Sequence, residues 1–404
     1  MANKDISPEK EENEGVYKDF KDLRQKLDAC ARFVGLEVTI PTFVLSWRGY
    51  LVIFIAISFA VGAVYTVYKG LIIDGDWMVL LQCTCQAGAG AQSIAKLIFY
   101  IKDRRFLWVI LDIMDVTFEH ESRGDHYKKC LQEDFQRIKF WMKGFGVLYF
   151  IVVSLCILFP FFYYIKYKIK LMMMTFLVPG MNPETKYGFY LLTAFHTVCM
   201  VVGGVGNYAA DMYLLFFISS APVAKNILRC KLHDLDVKLE AFRSHNKISS
   251  QEIRQDMVHI VSWHQKYLRV LECSERVFFV IIFVEISACC VSNLSILYCI
   301  LRGDWPSGKV YIFFSISTFM MYCTLGTIVD NSNSDLTDIV YNFRWYDLPL
   351  TEQRTMLYML RRTQATAGLS VGKMLPLNMQ TALQLSKTTY TALMILLRGK
   401  ETVD

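Results

Sequence analysis

Apolar stretches as long as a membrane crossing constrain this chain more than any other feature. A bilayer core about 30 Å thick needs roughly 20 consecutive, mostly apolar residues in a helix. No water is there to bond exposed backbone, so a lone spanning segment must be helical. Gly49–Tyr68 is such a run, broken only by Ser58 and Thr66. Phe145–Tyr164, Tyr187–Val223, Val277–Ile300, Val310–Val329 and Met374–Leu397 are further ones. Trp77–Tyr100 is punctuated by Gln82, Thr84, Gln86, Gln92, Ser93 and Lys96, and reads as a crossing whose polar face meets other helices. The expected fold class is all-α, a polytopic membrane protein with seven transmembrane helices. Composition agrees: 54% of residues are hydrophobic and 20% charged, against roughly 45–50% and about 25% in soluble domains.

Charge sets the expected orientation. With the N-terminus inside, the inner segments 1–40, 102–139, 222–266 and 331–375 hold about 28 of the 43 Lys and Arg residues, and the outer segments about nine. Positive charge stays cytoplasmic, so the N-terminus is expected in the cytoplasm and the C-terminus outside, the reverse of a conventional heptahelical receptor. Residues 1–15 are hydrophilic and expected to be disordered, with no cleavable signal peptide. Val16–Val34 carries Phe20, Leu23, Leu27, Ala31 and Val34 at helical spacing. It reads equally as a membrane-surface helix and as a helix packed on cytosolic protein. The twelve cysteines fall within spans or on the inner side, where thiols stay reduced. Cys83-x-Cys85 lacks the spacing of a metal site, and Asn293-Leu294-Ser295 lies inside a span, so its glycosylation pattern is coincidental.

Ionisable groups at membrane depth are costly and usually paired. Asp211 and Lys96 are expected to form an inter-helix ion pair; Glu285 and His196 stay open between packing and a ligand or ion route. Gly203, Gly204 and Gly206 favour close helix approach. Apolar periodicity continues past the fourth span through Leu228, Leu232, Leu235 and Leu239, and precedes the fifth from Ile253 to Leu271. Both helices are therefore expected to extend into the cytosol. No P-loop, dinucleotide fingerprint, nucleophile elbow or HExxH motif is present, so neither an enzyme nor a cofactor is expected. No nucleic-acid partner is expected either.

The last segments carry the most specific pattern. Trp345-Tyr346-Asp347-Leu348-Pro349 is followed by an amphipathic helix over Glu352–Gln364 with Met359-Leu360-Arg361-Arg362-Thr363-Gln364. Leu377-Asn378-Met379, Lys387-Thr388-Thr389-Tyr390-Thr391 and Leu396-Leu397-Arg398 close the chain. This resembles the W-Y-x-L-P … M-L-x-R-x-Q signature and terminal motif of insect odorant receptors. Thr391 stands where that family commonly has Ser, and Gln380-Thr381-Ala382 where Glu-Thr-Phe is common. The resemblance implies an odorant-gated, non-selective cation channel in the cell membrane of a sensory neuron dendrite, in which a tuning subunit joins a shared co-receptor as a heterotetramer. The long insertion that marks the co-receptor is missing between the fourth and fifth spans, so the chain resembles a tuning subunit. On that basis residues 1–40 form a cytoplasmic N-terminus, 41–330 the first six spans, 331–372 an anchor segment, and 373–404 a pore helix with a short outer tail. Tyr341, Trp345, Tyr346, Leu348 and Pro349 would belong to the subunit anchor.

Spacing alone puts Ser386, Thr389, Tyr390, Leu393, Leu396 and Leu397 on one helix face. That face is either a pore lining closed by leucines through dewetting or a lipid-facing stripe. By the resemblance, a volatile ligand binds in the outer half between spans two and six. Candidate contacts are Leu80, Leu81 and Thr84, then Tyr149, Phe150, Val153 and Ser154, then Tyr190, Ala194, His196 and Thr197, and finally Tyr311 and Ser315. Ordinary packing is the competing role for each. A gustatory-type channel subunit is the alternative with the same architecture, although Trp345–Pro349 favours the odorant branch. A G-protein-coupled receptor would need the opposite orientation.

Overall fold

Apolar periodicity longer than a bilayer dictates helices that leave it. The computed structural model describes residues 15–35, 46–245, 250–303, 305–365 and 368–401; the hydrophilic leader at 1–14 lies outside them. In chain order the helices are α1 (Val16–Phe33), α2 (Trp47–Tyr68), α3 (Met78–Lys102), α4 (Arg104–Phe118), α5 (Asp125–Tyr167) and α6 (Lys186–Ile218). They continue with α7 (Ser220–His245), α8 (Ser250–Arg302), α9 (Gly308–Asn342) and α10 (Leu350–Gln364). A short hairpin of β1 (Ser370–Val371) and β2 (Leu375–Pro376) precedes α11 (Met379–Glu401). The spanning helices are α2, α3, α5, α6, α8, α9 and α11, seven in all. Of these, α2, α5, α6, α8 and α9 are long and apolar enough to cross unaided. Helix α3 instead buries Gln86, Gln92 and Lys96 inside the bundle, as its polar punctuation predicts.

The overlong helices are more numerous than periodicity alone suggests. At about 1.5 Å per residue, the 53 residues of α8 span roughly 80 Å, well beyond a 30 Å core. Helices α5, with 43 residues, and α9, with 35, also overrun it. Their extensions gather at one end, here called the inner end, with α1, α4, α7 and α10. There Leu107, Ile227, Leu228, Tyr267 and Val270 are fully buried in one continuous core.

Helix α1 belongs to this core. Its apolar stripe turns onto protein, with Phe20 stacked 4.2 Å from Phe118 and 5.5 Å from Phe216. Tyr213 donates to Asp28 at 2.5 Å, and Arg24 reaches Asp115 at 3.3 Å. Of the two sequence readings, packing on protein is the one adopted, because aromatic partners cover the stripe.

Two boundaries differ from expectation. The last helix starts at Met379 rather than Met374, because Gly372 and Lys373 take left-handed φ angles of 60° and 61° and turn the chain back as a hairpin. Val371 pairs with Leu375 in that hairpin. The division at residue 330 also falls within α9, which continues to Asn342 without a break. A periodic helix gives no signal where membrane ends and extension begins.

Removing Phe20 tests whether α1 is integral. Phe20→Ala should lower stability by about 3–5 kcal/mol, the usual cost of emptying a buried aromatic site. Limited proteolysis of the detergent-solubilised protein should then release α1 first; unchanged melting and cleavage would contradict this packing.

Candidate functional site

Near the opposite, outer end the bundle is less filled. An apolar cavity of about 190 Å³ lies among α2, α3, α5, α6, α8 and α9. Its walls include Val52, Ile55 and Phe59 from α2, and Tyr149, Val152 and Val153 from α5. Gly203 and Gly204 of α6 face Tyr311, Phe314 and Ser315 of α9 across it. A dry cavity of about 150 Å³ holds benzene, so this one accommodates a ring with short substituents. A recessed, mostly apolar space with few polar groups is the ordinary form of a small-molecule site.

Four of the expected contacts meet here: Tyr149, Val153, Tyr311 and Ser315. The others are placed elsewhere. Phe150, Tyr190 and Leu80 are exposed on the outside of the bundle, and Ala194 likewise. Leu81 packs on Cys85, Ile296 and Trp305, and Thr84 donates to the Leu80 carbonyl. Ser154 is half-buried away from the wall. Neighbours on a helix point in different directions, and on α5 that difference turns Tyr149 into the cavity and Phe150 out of the bundle. The α2 wall and Gly203–Gly204 were not anticipated as lining. A Cβ at Gly203 would meet nothing within 4 Å, and one at Gly204 only Val153 at 3.4 Å. These glycines widen a cavity rather than admit a neighbouring helix.

His196 and Thr197 serve the connection between α5 and α6. That segment dips back into the bundle, burying Met173, Met174 and Phe176, and Met174 joins the cavity wall. His196 Nε2 donates to the Phe176 carbonyl at 2.9 Å, and Thr197 lies 3.4 Å from the Met173 sulfur. Tyr311 donates to the Met173 carbonyl at 2.5 Å, and the Leu177 amide to Thr66 Oγ1 at 2.7 Å. Gln86 Oε1 accepts from both the amide and the hydroxyl of Thr175, at 3.1 and 2.9 Å. His196 is thus a structural clamp.

Below the cavity lies a charge cluster. Lys96 Nζ of α3 sits 2.7 Å from Asp211 of α6 and 3.1 Å from Glu285 of α8, with all three side chains at most 3% exposed. Tyr322 of α9 donates to Asp211 at 2.6 Å. The expected pair is present, and Glu285 joins it. Asn207, on the cavity wall, accepts from Lys96 at 3.4 Å and donates to Ser93 at 2.8 Å, so the wall and the cluster share a side chain.

Helix α11 is placed by its neighbours. Asn378 donates to Asp330, the Met379 amide to Thr327 Oγ1, and Asn378 Oδ1 caps the Thr381 amide. Gly326 lets the Leu377 carbonyl lie directly on α9, where any Cβ would overlap it. At the far end Arg302 donates to the Leu397 carbonyl at 2.9 Å. The expected pore face is split by this seating. Tyr390 and Leu396 are exposed, as is Ser386, whereas Thr389 and Leu397 are half-buried. Leu393 is only 5% exposed and turns into its own bundle with Ala382, so in this single chain it does not border an open face. Periodicity defines a face but not which neighbour it meets.

The anchor candidates also divide. Leu348 is buried and Pro349 half-buried, while Tyr341, Trp345 and Tyr346 are exposed. Leu350, Leu357 and Tyr358 are exposed as well. Arg344 holds the segment down through Asp236 at 2.8 Å and Glu240 at 3.2 Å.

Comparison with known proteins follows this geometry. The chain matches the family model of the 7tm odorant receptors over residues 79–390. Putative odorant receptor 83c of Drosophila melanogaster is 23% identical over 389 residues, covering 94% of this chain and 97% of that protein. Odorant receptor 22c of the same insect is 23% identical over 348 residues, covering 80% and 84%. The insect olfactory receptor OR5 from Machilis hrabei superposes with a TM-score of 0.71 at 13% identity, covering 94% of this chain and 99% of its own. In complex with eugenol it superposes with a TM-score of 0.73, again at 13% identity, covering 95% and 99%. At that identity the likeness is one of fold.

Two substitutions test the framework. Lys96→Met leaves two buried carboxylates without their cation and should cost about 3–5 kcal/mol. The triple variant K96M/D211N/E285Q should recover most of that loss in thermal unfolding; equal losses would mean that charge is irrelevant there. Gly326→Ala should dislodge the turn before α11, seen as new protease cleavage between residues 368 and 378 of the folded protein.

Proposed function

The chain belongs to the 7tm odorant receptor family, and from that premise we propose that it is the odorant-tuning subunit of a non-selective cation channel assembled with a shared co-receptor. It is a multi-pass membrane protein and an odorant receptor subunit, not an enzyme. The observation that carries the reading is the apolar cavity of about 190 Å³ within the spanning helices. Its size and lining suit a small volatile molecule, and the similar receptor from Machilis hrabei has been solved with eugenol.

The exposed aromatic surface supports assembly. Tyr341, Trp345, Tyr346, Leu350, Leu357 and Tyr358 offer apolar area that water disfavours. Patches of this kind mark protein contacts, and aromatic residues are enriched at interface cores. Leu348 braces the surface from within. The excess of Lys and Arg at the inner end supports a cytoplasmic N-terminus. The pore is read as lined by α11, with Ser386, Tyr390 and Leu396 free to face a shared axis; Leu393 reaches that axis only if α11 shifts off its own bundle. Ligand opens such a channel by binding the open arrangement better than the closed one.

Whole-cell recording tests this. Cells expressing the chain with an insect co-receptor should give a fast inward cation current to a subset of volatiles, and cells expressing either alone a much smaller one. A bulky residue at Gly203, such as Gly203→Leu, should shift responses toward smaller ligands without reducing surface expression. Responses that depend only on G-protein signalling would refute the channel reading.

A further inference from the structure

The cavity wall is almost silent in polar terms, because its hydroxyls and amides are mostly spent on the chain itself. Ser292 and Ser315 donate to backbone carbonyls of Cys85 and Cys289, Thr318 to that of Phe314, and Gln92 to that of Glu285. Gln86 is a different case. It is 4% exposed and lines the cavity.

The orientation of the Gln86 amide follows from its partner. The Thr175 backbone N–H can only donate, so the Gln86 atom that meets it at 3.1 Å is the oxygen. The amide nitrogen must then occupy the other position. There Nε2 has no hydrogen-bond partner among the described residues. It lies beside the Tyr311 hydroxyl, whose oxygen, having given its proton to the Met173 carbonyl, can accept at most one of the two Nε2 protons, so at least one is left over. A buried donor left unpaired costs free energy that a matching acceptor returns. An amide nitrogen donates only, so its match is an acceptor.

We propose that Gln86 Nε2 is a specificity-determining donor that receives the carbonyl oxygen of a volatile ketone, aldehyde or ester, while Phe59, Val152 and Phe314 hold its apolar body. This rests on the cavity being the odorant site and names the ligand class for it. Saturated and aromatic hydrocarbons of equal shape fit the same walls but leave Gln86 unpaired. A single missing hydrogen bond to a buried polar group separates such analogues more sharply than a methylene does.

The experiment uses the purified full-length chain and two near-isosteric probes, acetophenone and α-methylstyrene, which differ by C=O against C=CH2. Dissociation constants come from the concentration dependence of thermal stabilisation. Gln86→Met should reduce the preference for acetophenone over α-methylstyrene by about three- to tenfold, the worth of one net hydrogen bond. Thr66→Val loosens the same connecting segment through Leu177 without touching the cavity, and should leave that preference unchanged.

An unchanged preference in Gln86→Met overturns the proposal, as does its loss in Tyr149→Phe instead. Failure of both probes to stabilise the wild-type chain also overturns it. Should Gln86→Met not fold, the carbonyl stretch of acetophenone bound to the wild-type chain decides: a frequency below that in hexane supports the contact, and a hexane-like value refutes it. A preserved preference without odorant-evoked current would refute the channel reading while leaving Gln86 in its role.

Discussion

Lys96 is the tie on which the bundle depends. Charge in a bilayer is tolerated when it is paired and enclosed, and Lys96 meets that condition only by drawing Asp211 and Glu285 to within 3.1 Å from two other helices. Tyr322 brings a fourth helix to the same point. Lipid tails provide no hydrophobic drive for helices to associate, so packing and polar contacts must specify the arrangement. A three-residue charge cluster has few satisfactory geometries and therefore specifies one. Removing a partner leaves a stranded charge, whereas removing all three leaves helices that still pack.

The cluster also divides the molecule. On its inner side the helices leave the bilayer and form a dense core in which Phe20, Phe118 and Phe216 stack and Tyr267 is fully buried. On its outer side the same helices diverge around a cavity, and α2 is mostly uncovered. The inner end is thus densely packed and the outer end holds the cavity. Asn207 touches both zones, because it contributes to the cavity wall and accepts from Lys96.

The segment between α5 and α6 borders the cavity through Met174 and is held there by backbone bonding. Its carbonyls at Met173 and Phe176 and its amides at Thr175 and Leu177 are taken by Tyr311, His196, Gln86 and Thr66. Irregular backbone at membrane depth is tolerable when protein satisfies it. The need to satisfy that backbone accounts for His196, whose depth alone left packing and a ligand or ion role equally open. Of the wall residues, Gln86 and Tyr311 are engaged with that segment.

Local pattern along the chain was enough for the all-α class, the spans, the buried polar face of α3, the Lys96–Asp211 pair and the family signature around Trp345–Pro349. Each of these is a matter of local periodicity, length or charge cost, and a bilayer makes those signals severe. Which residues line the cavity depends on how the helices pack. Tyr149 and Phe150 are adjacent and equally plausible in a list, yet one faces inward and the other outward, because the phase of a helix is set by its neighbours. The same holds for Leu393, whose face is evident from spacing but whose neighbour is its own bundle. The hairpin at Gly372 and Lys373 was hidden within an apolar run, since left-handed φ angles leave little trace in hydropathy. Gln86 looked like one of several polar interruptions in α3; only the placement of Thr175 beside its oxygen left its nitrogen for something else.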